Sequence, residues 1–102
     1  MAVTGTQEGR VLDLAISGEV DHHRAGAIMA DMDRYIDGCL PRRVTMDLSG
    51  VTFMDSSGIA IILRGYRRLR DLDGELVVRG APAQAAKVLR TAGLNRLITF
   101  ED

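Results

Sequence analysis

Residues 44–63 read VTMDLSGVTFMDSSGIAIIL, and a change of rhythm inside them decides the fold. Val44, Met46 and Leu48 alternate with Thr45 and Asp47, the two-residue period of a half-buried strand. After Gly58 the rhythm lengthens. Ile59, Ile62, Leu63, Tyr66 and Leu69 recur at three- and four-residue steps, which places them on one face of a helix. Between the two, Ser49-Gly50 predicts a turn, a connecting stretch runs from Val51 to Met54, and Asp55-Ser56-Ser57-Gly58 opens the helix.

The same alternation extends in both directions. Upstream, VLDLAI (11–16) puts Leu12, Leu14 and Ile16 on one side of a strand, and Met1 to Thr6 can pair with it as a hairpin through Gln7-Glu8-Gly9. Asp21 has the side chain of a helix N-cap. Ala25, Ile28, Met29, Met32, Tyr35, Ile36 and Cys39 then form an apolar stripe, and Pro41 marks the exit. Downstream, Gly74 breaks the second helix and ELVVR (75–79) reads as a strand. Pro82 suits the first turn of a third helix with a buried stripe of Ala85, Val88, Leu89 and Ala92. Gly93 fits a left-handed cap with Leu94 folding back, and Leu97 to Phe100 predicts a short closing strand.

Strands alternating with helices imply parallel crossovers, so the fold class is α/β: a mixed, mostly parallel sheet of four to five strands with helices packed on it. The 102 residues suit a single domain, 1–102. Its core must be aliphatic, since there is no Trp and only two Phe and two Tyr.

Composition removes several classes of function. A formal net charge of −1 lacks the basic excess of a nucleic-acid binder, and Arg64, Arg67, Arg68 and Arg70 are answered by Asp71, Asp73 and Glu75. They read as a solvated helix face. One cysteine allows neither an internal disulfide nor a Cys-based zinc site. No apolar run has the length of a membrane span and MAVTGTQEGR (1–10) lacks a signal-peptide core, which points to the cytoplasm and away from the membrane.

Four candidate chemistries remain. His22 and His23 are adjacent, so on a helix they point about 100° apart and chelate one metal ion poorly. A triad of Ser56 or Ser57, His22 or His23, and Asp21 or Asp55 can be written on paper. However, Met54 replaces the first glycine of the G-x-S-x-G elbow, so hydrolysis is disfavoured. No phosphate-cradling glycine motif occurs, so no nucleotide cofactor and no enzymatic activity of its own are expected. That leaves DSSG (55–58). Asp55 or Ser56 can simply cap the helix; alternatively, an exposed serine there accepts a phosphate at an anion-tolerant helix N-terminus. Ile61 and Leu72 lie opposite the Ile59/Ile62/Tyr66 stripe: either Ile61 is a partner-facing apolar residue near that serine, or the first turn of the helix is buried on both sides.

Three segments together resemble the STAS-type anti-sigma factor antagonists of the sporulation kind: SGEVDHHRA (17–25), MDLSGVTFMDSSGIAIIL (46–63) and TAGLNRLITF (91–100). The resemblance covers nearly the whole chain. It implies a STAS fold in a protein that is a monomer when free. The unphosphorylated form would bind an anti-sigma factor that is itself a serine kinase, and so release the sigma factor. Phosphorylation of Ser56 would abolish binding, and a serine phosphatase would restore it. The resemblance also implies that Asp55, Ser57, Gly58 and Ile59 flank the phosphoserine and that Glu19 and Asp21 contact the kinase, with Ile61 added from the helix wheel. A different role on the same fold, as a structural subunit of a stress-signalling scaffold or a lipid-transport complex, stays open.

Overall fold

Strand β1 (Val3–Glu8) opens the computed structural model, which describes residues 3–102. It pairs antiparallel with β2 (Val11–Val20), Glu8 facing Val11, so the hairpin turn is Gly9-Arg10 rather than residues 7–9. Gly9 takes φ +62, the positive angle that the twist-matched hairpin turns require. Met1 and Ala2, the start of the expected first strand, lie outside the described residues.

Helix α1 (His22–Cys39) buries Ile28, Met32 and Ile36, and β3 (Arg43–Met54) follows beside β2 in parallel. Helix α2 (Ser57–Asp71), strand β4 (Glu75–Arg79), helix α3 (Ala83–Thr91), a 3-10 turn (Leu94–Arg96) and strand β5 (Thr99–Glu101) complete the order. The five strands lie in space as they do in sequence, β1-β2-β3-β4-β5, with only β1 antiparallel. Repeated right-handed crossovers in one direction stack every helix on the same face. Leu12, Leu14, Ile16, Val44, Met46, Leu48, Leu76 and Val78 point into that face and form one core with the helix stripes. On the opposite face Arg43 reaches Glu75 at 2.8 Å and Glu101 at 3.9 Å, spanning the row that contains the buried Val77.

Several boundaries differ from the sequence reading, each for a physical reason. Ser49-Gly50 is not a turn. β3 continues to Met54, and the extra residues are absorbed as irregularities between Ala15 and Ser17 and between Gly18 and Glu19 of the β2 pairing. Pro82 sits one position before α3, and Ala92 is exposed. Gly93 does take the left-handed conformation (φ +81) and Leu94 is buried behind it. The chain then makes a 3-10 turn that leaves Leu97 exposed and delays the last strand to Thr99. Gly74 ends α2 by close approach. A Cβ there would lie 2.8 Å from the Arg42 carbonyl oxygen, and the left-handed residue is its neighbour Asp73.

Helix α2 requires the main correction. Ile61 is 1% exposed, so it is a core residue and not a partner surface. The buried face runs through Gly58, Ile62, Gly65 and Leu69, centred on two glycines that carry no hydropathy signal. Ile61 flanks this line on the α1 side, while Ile59, Leu63 and Tyr66 flank it on the other and are only partly buried. Leu72 is partly buried against the same core. Gly65 lets the helix settle: an added Cβ would touch Met32 Sδ and Met46 Cε at 3.4 Å each. On the α1 side Arg64 Nη2 meets Asp33 Oδ2 at 2.7 Å, and Arg68 meets both Asp33 (2.9 Å) and Asp37. Two of the four arginines therefore tie helices together and do not form a free basic face. Arg64 is the main cause that holds the Asp33 carboxyl below its ordinary pKa.

Ile61→Ala should lower the free energy of unfolding by about 2–5 kcal/mol, the cost of a large-to-small change in a packed core. Urea denaturation measures it. A loss below about 0.5 kcal/mol would mean that Ile61 is a surface residue after all.

Candidate functional site

Beyond Asp47 the β2–β3 pair leaves β4 behind and projects towards the N-termini of α1 and α2. This projection gathers the candidate residues. Gly18 adopts φ +83 at one irregularity, after which Glu19 pairs with Phe53 and Val20 with Met54. Glu19 is exposed, and so is Phe53 at 46%, a large apolar side chain left in solvent beside an acidic one.

Asp21 and Asp55 turn the two strands into helices. Asp21 is the N-cap of α1, its Oδ1 accepting from the Arg24 N–H at 3.0 Å. Asp55 serves both helices. Its Oδ1 accepts from the Ser57 N–H at 2.8 Å and its Oδ2 from the His22 N–H at 3.3 Å, while its own N–H donates to Val20 O at 3.0 Å. One carboxylate thus satisfies free donors at two helix starts, where the helix dipoles also favour negative charge. The Ser57 amide is the main cause that lowers the Asp55 pKa, with the Ser57 hydroxyl and His22 adding to it against a smaller opposing effect of burial.

This settles which residue caps the helix. Asp55 does so, and the Ser56 side chain, although at the cap position, makes no capping hydrogen bond. Ser57 is partly buried and its N–H donates to Asp55 Oδ1. Ser56 is exposed and its side chain makes no capping hydrogen bond. Of the two serines, Ser56 is the more accessible to an incoming reagent.

The other expected positions divide by exposure. Ile59 is partly buried, leaving an edge accessible next to Ser56. Gly58 is buried. A Cβ on it would collide with Met54 Sδ, so its small size is required by the packing of Met54. Ile61 is out of reach in the core. His22 and His23 are exposed with ring centroids 4.0 Å apart, and among the described residues no group of three or more His, Cys, Asp or Glu is placed to hold a metal ion. The hydrogen bond of His22 to Asp55 comes from its backbone. Among the described residues no helix is long and apolar enough to cross a membrane.

Two residues escaped the sequence reading. Phe53 would have been found by carrying the strand alternation through Gly50. Gln84, from the first turn of α3, holds both main-chain groups of Met54. Nothing local in the sequence announces that contact across 30 positions.

With this geometry in place, comparison with known proteins fixes the family. The model of the STAS domain matches residues 3–102. The chain belongs to the STAS domain family. The anti-sigma F factor antagonist of Paenibacillus polymyxa is 30% identical over 92 residues, 90% of this chain and 79% of that protein. Among solved structures, the unphosphorylated form of the anti-sigma factor antagonist SpoIIAA superposes with a TM-score of 0.83 at 23% identity, over 97% of this chain and 87% of that one. The phosphorylated form of the Bacillus cell fate determinant SpoIIAA gives 0.74 at 23% identity, over 97% and 90%. The five-stranded mixed sheet with three helices is thus the STAS fold, and these structural likenesses bear on the fold alone.

Because the native Asp55 pKa lies below its ordinary value, ionised Asp55 favours the folded chain. That stabilisation is complete above the unfolded-state carboxyl pKa and is lost as pH falls through the lowered native value. Asp55→Ala should therefore melt at a lower temperature than wild type at pH 7, and the gap should narrow in acid. Calorimetry at both pH values checks it; a gap that widens in acid would contradict the assignment.

Proposed function

We propose that this STAS domain is an anti-sigma factor antagonist, a binding protein and not an enzyme, switched by phosphorylation of Ser56. In this reading the unphosphorylated form binds an anti-sigma factor that is a serine kinase, and the sigma factor is released. The kinase phosphorylates Ser56 and binding ends; a serine phosphatase resets the cycle. The observation that carries the proposal is the division of labour at residues 55–57: Asp55 caps, Ser57 donates its N–H to Asp55, and Ser56 stands exposed with no capping hydrogen bond. The name of the Paenibacillus relative supports the partner class.

The physics of the switch follows from position. A phosphoserine carries about −1.5 to −2 charges at neutral pH, taking the chain from −1 to about −3. The new charge stands beside Asp55 and the Glu19/Asp21 edge, while Arg64 and Arg68 of α2 are paired with Asp33. Folding is spared, because the Ser56 side chain neither packs in the core nor caps a helix. A partner that covers Ser56 must desolvate the dianion, and a loss of only about 3–4 kcal/mol weakens binding several hundredfold.

Glu19, Asp21, Asp55, Ser57 and the accessible edge of Ile59 form the polar rim and flank of this surface. Phe53 supplies the apolar centre that a binding hot spot needs. A partner with basic groups around an apolar pocket fits such a surface.

Pull-down from host lysate with three baits tests the switch. Wild type and Ser56→Ala should capture the same kinase-like anti-sigma factor, and Ser56→Asp should not. Equal capture of a transporter or scaffold subunit by all three baits would make the chain a structural STAS subunit instead. Against the captured partner, Phe53→Ala should bind at least about tenfold more weakly with an unchanged melting temperature; unchanged affinity, read by titration calorimetry, would remove Phe53 from the interface.

A further inference from the structure

At Asp47, paired with Arg79, β4 stops flanking β3, and Gly80 at φ +68 turns the chain away. From there to Met54 the only strand beside β3 among the described residues is β2. A strand edge left in this way carries unpaired N–H and C=O groups. At its last residue the deficit is made good by a side chain: the Met54 N–H donates to Gln84 Oε1 at 2.8 Å, and Gln84 Nε2 donates to the Met54 carbonyl at 2.7 Å. A carboxamide offers one donor and one acceptor side by side, so it stands in for the peptide group of a missing strand.

We propose that Gln84 is a positioning residue for the phosphoacceptor segment, coupling α3 to Ser56 through Met54. The inference rests on the reading of Ser56 given above. Met54 and Asp55 are held from three directions. On the β2 side the Asp55 N–H meets Val20 O at 3.0 Å. Underneath, Met54 fills the space left by Gly58. On the open edge Gln84 closes the third side. Ser56 follows Asp55, so its backbone position and the direction of its Cα–Cβ bond are inherited from this anchor. A kinase that receives a serine already fixed in place spends less binding free energy on ordering it, and freeing one side of the anchor returns that entropy cost to the reaction. Gln84 is an exposed first-turn residue, so it contributes this contact without contributing to the core.

The test uses the full chain with Gln84→Ala and Gln84→Glu. Three quantities are measured: the hydrogen-exchange protection factor of the Met54 amide, the melting temperature, and the initial rate of phosphate incorporation at Ser56. The last uses labelled ATP and host-cell extract as the source of kinase, with the chain well below saturation. Gln84→Ala should lower Met54 protection about tenfold, with core amides such as Val78 unaffected. It should slow incorporation on the order of tenfold. Gln84→Glu keeps the acceptor for the Met54 N–H but presents an anion to the Met54 carbonyl at neutral pH, so its Met54 protection there should fall between wild type and Gln84→Ala. Its Met54 protection should recover as acid restores a donor, a rescue that a merely structural role would not produce. Unchanged Met54 protection in Gln84→Ala would overturn the clamp, and lost protection with an unchanged rate would overturn the positioning role. If wild-type Ser56 takes up no phosphate, the phosphoacceptor reading itself falls, and the positioning role with it.

Discussion

The carboxylate of Asp55 sits where β3 ends and two helices begin, and the geometry of the candidate site depends on it. It accepts from the Ser57 amide of α2 and the His22 amide of α1, while the residue's own amide is tied to Val20 of β2. An acceptor shared in this way fixes the two helix starts relative to each other, because each amide must point at the same group. Its consequences spread outwards. With Asp55 capping, Ser56 is relieved of that task; with Ser57 drawn to Asp55, Ser56 becomes the serine that faces solvent. The phosphoacceptor proposal is in this sense a consequence of how a helix start was satisfied.

Most of the fold was legible because its signals are local. The strand alternation of Leu12, Leu14 and Ile16, the N-cap at Asp21 and the α1 stripe of Ile28, Met32 and Ile36 each follow from neighbours within a few residues. The errors arose where a decisive partner was distant or carried no hydropathy. Ser49-Gly50 has turn composition, yet pairing with β2 overrides it and keeps the strand running. The axis of the buried α2 face passes through Gly58 and Gly65, so weighting by apolar side chains rotated the wheel and pushed Ile61 outwards. The site was legible as a segment, DSSG beside GEVD, but not in its division of labour. Asp55 and Ser56 are both good caps; Asp55 takes the role, its carboxylate accepting from the Ser57 amide and, across 33 positions, from the His22 amide.

Charge is distributed so that the end that carries Ser56 and the packed end of α2 are kept apart. Arg64 and Arg68 of α2 are engaged with Asp33 and Asp37 of α1, more than two turns along the helix from Ser56. The surface around Ser56 keeps Glu19, Asp21 and Asp55 as its carboxylates. A charge added there meets like charges in solvent, where water screens most of the repulsion within the folded chain. The same charge covered by a partner loses that screening. The asymmetry makes an exposed serine on an acidic edge a sensitive control of binding and a weak control of folding.

Met54 shows the rigid support that the proposed switch would need even though it would act at the surface. Its backbone is clamped by Gln84, its side chain fills the gap over Gly58, and its neighbours on either side are Phe53, exposed, and Asp55, capping. The chain therefore passes from an exposed aromatic ring to a core residue to the proposed phosphoacceptor within the span from Phe53 to Ser56. A phosphate can report through binding only if the surface it interrupts is otherwise held constant, since a mobile loop could swing the charge aside. The β2–β3 projection, paired on one edge by backbone and on the other by a single carboxamide, supplies that constancy without a further strand.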